Sequence, residues 1–166
     1  MTERELIVDH MRIQYEGLFD ATELYRLIDR FFRDKGYDKR DLKNVEKVRP
    51  QGKFIEIELL PWKKTTDYFK NEIKIRMIME DLKDVEVEKD GRKIKLNQGK
   101  LSIVFDGYFS TDYEHRWEGK PTYFFLRTFF DKFFFKSYTD KYKGVLVQDV
   151  NTLHTQVKAF LNLYRF

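Results

Sequence analysis

The densest set of reactive side chains in the sequence is Asp112-Tyr113-Glu114-His115-Arg116-Trp117, with Asp106 upstream. Carboxylates beside an imidazole can hold a divalent cation or pass a proton between acid and base. Their spacing follows no ligand rule, and a polar loop gathers such residues without any task. His10 falls among the polar positions of an alternating segment, and His154 stands beside Leu153 at the border of an apolar stripe, so surface and structural roles account for both. The chain has no cysteine, which removes disulfides, thiolate zinc sites and a cysteine nucleophile. GxxxxGK[ST], GxGxxG, Gly-x-Ser-x-Gly and HExxH are all missing, and with them the phosphate-loop, dinucleotide, hydrolase and zinc-protease chemistries. No catalytic residue, metal ligand or cofactor is assigned.

Binding chemistry is better represented. Aromatics make up 17% of the chain, and ten of them fall in the 25 residues from Lys120 to Gly144. The same stretch holds six cations (Lys120, Arg127, Lys132, Lys136, Lys141, Lys143) against Asp131 and Asp140. That local excess equals the +4 of the whole chain, which sets 32 Lys and Arg against 28 Asp and Glu. Aromatics beside cations are the usual makings of interaction hot spots, and they also suit stacking on nucleobases. The expected partner-binding residues are Arg127, Lys132, Lys136, Lys141 and Lys143 as a cationic rim, with Phe135, Tyr138 and Tyr142 as anchors. Lys70, Lys74 and Arg76 could track a phosphate backbone, but Glu72 interrupts them and a solvated sheet face explains them better.

These residues need elements to position them. Leu6–Leu18 alternates as a strand, with Ile7, Met11, Ile13 and Tyr15 on one parity. Asp20-Ala21-Thr22-Glu23 reads as a helix start, Leu24, Leu27, Ile28, Phe31 and Phe32 follow at helical spacing, and Gly36 suits the left-handed cap. A helix is predicted from Ala21 to Lys35. Strands are expected at Asn44–Arg49, at Lys53–Trp62 and from Phe69 onward. Asp90-Gly91 suits a type I′ turn that pairs Lys89 with Arg92, Glu88 with Lys93 and Val87 with Ile94. A second hairpin around Asn97–Lys100 would pair Leu96 with Leu101, its strand continuing to Phe109. Ser110–Lys120 is the expected functional loop.

Pro121 to Tyr142 then reads as a helix. Phe125, Leu126, Phe129, Phe130, Phe133 and Phe134 cover about half its circumference, while Phe124, Phe135, Tyr138 and Tyr142 point elsewhere. This second stripe must meet the final helix, another subunit or a ligand. Gly144 is expected to break the chain. Leu146, Val150, Leu153, Val157, Phe160 and Tyr164 form the stripe of a last helix.

The fold class is therefore α+β: a curved antiparallel sheet of five to six strands packed on helices, in the order β-α-β-β-β-β-β-α-α, as one domain over residues 1–166. Apolar residues at 42% and charged residues at 36% suit a folded, soluble chain. No apolar run reaches the roughly 18–20 residues of a membrane span, and a cytoplasmic location is the expectation.

The opening strand and helix, the meander from Lys53 to Phe109 and the Leu146–Tyr164 helix partly resemble the helix-grip domains of the START and Bet v 1 type. That resemblance implies a sheet wrapped around a C-terminal helix and, often, an apolar ligand held between them. The chain departs from it by having one helix after the first strand and an extra Phe-rich helix that could fill the ligand space. Glu16–Asp20, Asp84–Gly91 and Lys158–Leu163 resemble small archaeal proteins, a likeness that supplies no activity. The expectation is a non-catalytic binding or scaffolding protein. It would self-associate as a dimer through the aromatic helices and dock an acidic partner such as RNA or a ribonucleoprotein. The alternative is a carrier of an apolar small molecule.

Overall fold

A computed structural model of the chain describes residues 3–111, 128–129 and 135–165. It is an α+β fold in which a curved, open antiparallel sheet of six strands wraps one face around two described helices, a helix-grip-like layout. The strands are β1 (Glu3–Phe19), β2 (Asp41–Arg49), β3 (Gly52–Leu59), β4 (Trp62–Lys64), β5 (Phe69–Lys89) and β6 (Arg92–Thr111). Helix α1 spans Ala21–Asp34 and α2 spans Phe135–Asn162. Spatial order is β1-β6-β5-β3-β2, with β4 attached to β5.

Local chemistry explains α1. The Asp20 carboxylate accepts from the Glu23 N–H at 3.0 Å, and Gly36 closes the far end at φ +77°. Glu23 does not reach back to complete a capping box; its carboxylate holds Arg26. Leu24, Ile28, Phe31 and Phe32 enter the core.

The Asp90-Gly91 hairpin has the expected register, Lys89 on Arg92 through Val85 on Leu96. The second hairpin does not form. β6 runs unbroken through Asn97–Lys100, pairing with β1 on one side and β5 on the other. Asn97 and Gly99 serve other ends there. The Asn97 side-chain oxygen accepts from the Ala21 N–H at 3.0 Å, a second contact at the start of α1. Gly99 lies against a bulge in β5 where Asp81 adopts φ +52°, and a Cβ at position 99 would stand 2.8 Å from the Glu80 carbonyl oxygen. Gly52 closes on the same bulge from β3, with φ +140°. The bulge bends strands of 21 and 20 residues, which curves the sheet around the helices.

A further bulge interrupts β1 between Val8 and Met11. It changes which parity faces inward: Val8 is buried before it, Ile13 and Tyr15 after it. The single alternation read across Ile7–Tyr15 is thus two alternations joined by Asp9 and His10.

Gly144 does not break the chain. α2 continues through it, with open space where a Cβ would be. Leu146, Val150, Leu153, Val157 and Leu161 then lie on the inner face of the sheet, each at most 2% exposed, against a core that includes Ile75, Met77, Ile103 and Phe105. The outer face of the sheet is charged and internally paired: Arg4 and Lys70 on Glu72 (3.1 and 3.3 Å), Arg76 and Lys43 on Glu56 (3.0 and 2.7 Å). Hydrogen bonds from Lys43 and Arg76 hold the Glu56 carboxyl below its ordinary range. Among the described residues no helix is long and apolar enough to cross a membrane.

Candidate docking site

The first turns of α2 overhang the end of the sheet where β5 begins and β6 finishes. Phe69 opens β5, and its ring meets Phe109 (5.2 Å between centroids), Tyr142 (5.3 Å) and Tyr138 (6.3 Å). Tyr138 and Tyr142, one helical turn apart, pack edge-on at 5.4 Å. Among the described residues the four rings form a ladder running outward from the core: Phe69 and Phe109 are buried, Tyr142 is half-buried, and Tyr138 is 47% exposed. Hydrogen bonding to Tyr138, with burial second, lifts the Tyr142 phenol above its ordinary value.

Not all of the expected rim belongs to this patch. Lys136 and Lys141 are exposed, and the Lys141 ammonium lies 6.0 Å from the centre of the Tyr142 ring. Lys143 is engaged: it donates to Glu5 at 2.6 Å and lies over the Phe109 ring at 5.7 Å, tying α2 to β1. Phe135 is the first residue of α2, and its side chain is outside the described atoms. Arg127, Lys132, Phe124 and the Asp112–Trp117 segment lie outside the described residues.

Two buried polar groups escaped the reading of the sequence. Asn71 is 0% exposed and stands opposite Phe109 in the sheet, two places along β5 from Phe69. Neither atom of its amide has a hydrogen-bond partner, whereas buried amides are almost always satisfied. A lone amide on the apolar parity Phe69, Ile73, Ile75 was the signal. Asp149, three residues after Leu146 on the inward stripe, accepts from the Tyr37 hydroxyl at 2.8 Å, with the Lys35 ammonium at 3.7 Å. Burial first, and the Asp149 charge second, push the Tyr37 phenol far above its usual range.

Among the described residues, Asp106 meets the β1 bulge. The β1 bulge turns His10 to φ +50°, and its backbone N–H donates to the Asp106 carboxylate at 2.8 Å. The His10 Nδ1 atom contacts Asp9 and lies 3.3 Å from Asp106. One nitrogen and two carboxylate oxygens thus fall within 4.8 Å of one another. The set has the chemistry for a divalent cation, but the side chains of His10 and Asp9 are 57% and 69% exposed, and Lys74 stands opposite Asp106 in the sheet. Its buried member, Asp106, already accepts from the His10 backbone N–H, and no metal is assigned. His154 sits at the border of the α2 stripe, edge-on to Phe105 at 5.9 Å.

No protein-family model matches this sequence, and no curated protein was found similar to it.

Proposed function

We propose that this is a non-catalytic docking protein that receives an acidic partner, RNA or a ribonucleoprotein surface, on the aromatic end of α2. The observation that carries this reading is the Phe69–Tyr142–Tyr138 ladder, which brings an aromatic face to solvent beside Lys141, whose ammonium lies 6.0 Å from the centre of the Tyr142 ring. A ring fixed from behind by other rings loses little freedom when a base or another flat group stacks on it, and nearby ammonium groups add the charge a polyanion needs. The same patch cannot hold a second copy of the chain and a polyanion at once. Its lysines favour the polyanion.

The test is fluorescence anisotropy with a labelled single-stranded RNA across a salt series. Binding should weaken steeply with salt. Tyr138→Ala combined with Lys136→Glu and Lys141→Glu should abolish it while leaving the circular dichroism melt unchanged. A wild-type protein that fails to bind, or a triple variant that binds equally well, would overturn the reading.

One observation favours a carrier instead. The unpartnered, fully buried amide of Asn71 sits on the gripping face of the sheet, beside the aromatic ladder. It could donate to and accept from the polar head of an otherwise apolar ligand. Native mass spectrometry of gently purified protein separates the readings: a retained small molecule lost in Asn71→Leu supports the carrier.

A further inference from the structure

The sheet has two edges of different character. On β1 the bulge at Val8–Met11 disrupts the ladder, and α2 packs against that strand. Among the described residues β2 pairs only with β3, and eight of its nine residues are exposed, Val45 being half-buried. Two of the large apolar side chains left in solvent lie on it: Leu42 at 43% and Val48 at 81%. Edge strands are usually blunted by charge, but here two of the charges are already neutralised from the neighbouring strand. Lys43 lies on Glu56 at 2.7 Å, and Glu46 is held by Lys53 at 3.4 Å.

We propose that β2 pairs antiparallel with β2 of a second copy about a two-fold axis through Val45, joining two sheets edge to edge. Within the regular part of the strand, Lys43, Val45 and Lys47 share the outer face with Glu56, while Asn44, Glu46 and Val48 share the inner face with Ile55 and Ile57. Keeping inner face beside inner face allows only pairings that slide by two residues. Centring on Val45 sets Leu42 against Val48 of the second copy at both ends, covering each exposed side chain with the other. It also sets Asn44 against Glu46 and brings Asp41 beside Arg49. Centring on Asn44 would set Leu42 against Glu46 and Val48 against Arg40. Centring on Glu46 would oppose two glutamates. The Val45 register has one like-charge pair, Lys43 with Lys47, and Glu56 already neutralises its first member. An irregularity at Leu42 loosens the strand end and leaves Lys43–Arg49 regular. A dimer built this way leaves the aromatic end of α2 open, so its failure and that of RNA docking are read separately.

The absence of cysteine makes the register directly testable. Residues on the axis of such a pair have Cβ atoms about 5 Å apart, close to disulfide reach. Val45→Cys should therefore form a covalent dimer under mild oxidant. Lys47→Cys should not, because the register sets that position about 13 Å from its own copy. Sedimentation velocity should give twice the chain mass for the wild type and the single-chain mass for Val48→Glu. Adding Leu42→Lys to Val48→Glu should restore the dimer through two new ion pairs. All of these positions are partly or fully exposed, so circular dichroism should show an unchanged fold. A wild type that stays monomeric throughout a dilution series overturns the proposal. So does a dimer that Val48→Glu leaves intact or that Val45→Cys fails to lock.

Discussion

From Leu146 to Leu161 the inward residues of α2 are at most 4% exposed, whereas one and two turns before Leu146 the same side of the helix carries a half-buried Tyr142 and a Tyr138 that is 47% exposed. Both halves are rich in large side chains; they differ in what lies beneath them. The C-terminal half rests on the middle of the sheet, where β5 and β6 offer Met77, Ile103 and Phe105. The N-terminal half reaches the sheet's end, where among the described residues it meets Phe69 and Phe109, and Tyr138 stays 47% exposed. One half is consumed in holding the fold together, and the other is left for an outside partner.

The largest effect should come from the sealed half. Leu153 is 0% exposed, and Leu153→Ala should cost about 2–5 kcal/mol through lost burial and the cavity left behind. That is a large share of the roughly 5–15 kcal/mol that holds a domain together. Urea unfolding should show the midpoint falling with little change in slope. A loss under about 1 kcal/mol would mean that the helix is not gripped as described.

Between the extremes stands the Tyr37–Asp149 pair, which fixes α2 to the end of α1. Tyr37→Phe leaves a buried carboxylate with only the more distant Lys35 and should cost about 1–3 kcal/mol. The pair also predicts an alkaline signature. The Tyr37 phenol is raised in the folded state, so its contribution is complete below the ordinary phenol pKa of about 10 and declines as pH rises from there toward the folded value. Stability measured on either side of about pH 10 should fall less in Tyr37→Phe than in the wild type.

Much of this comparison could be read from the residues alone, and the part that could not has a physical reason. Local rules placed α1, because Asp20 and Gly36 act within one turn of the helix they bound. They placed the Asp90-Gly91 hairpin, because a two-residue loop sets its own register. Gly99 and Gly144 look like the same kind of punctuation, yet neither ends an element: Gly99 answers a close approach by Glu80, and Gly144 costs α2 too little to stop it. Both decisions belong to tertiary packing. Asp9 and His10 gave no sign of a bulge, since a bulge is defined by the facing strand. Of the aromatic site, composition marked the region, but the helical wheel set Tyr138 and Tyr142 apart from the core face, whereas they continue the inward stripe of α2 one and two turns before Leu146 and meet Phe69. The engagement of Lys143 by Glu5 depends on a partner 138 residues away in sequence.

The smallest stability effect, and the sharpest functional one, is expected at Tyr138. Its ring packs on Tyr142 and Phe69 and is 47% exposed, so Tyr138→Ala removes a partly solvated contact. Substitutions of that kind usually change stability by less than about 0.5–1 kcal/mol, several-fold below Leu153→Ala. RNA affinity should nevertheless fall by about fivefold to a hundredfold, because stacking on one ring is worth about 1–3 kcal/mol. Tyr138→Phe should retain most of the affinity, since the stacking surface survives without the hydroxyl. A variant that loses stability and affinity in proportion would place Tyr138 with the sealed half of α2 and erase the distinction between the two.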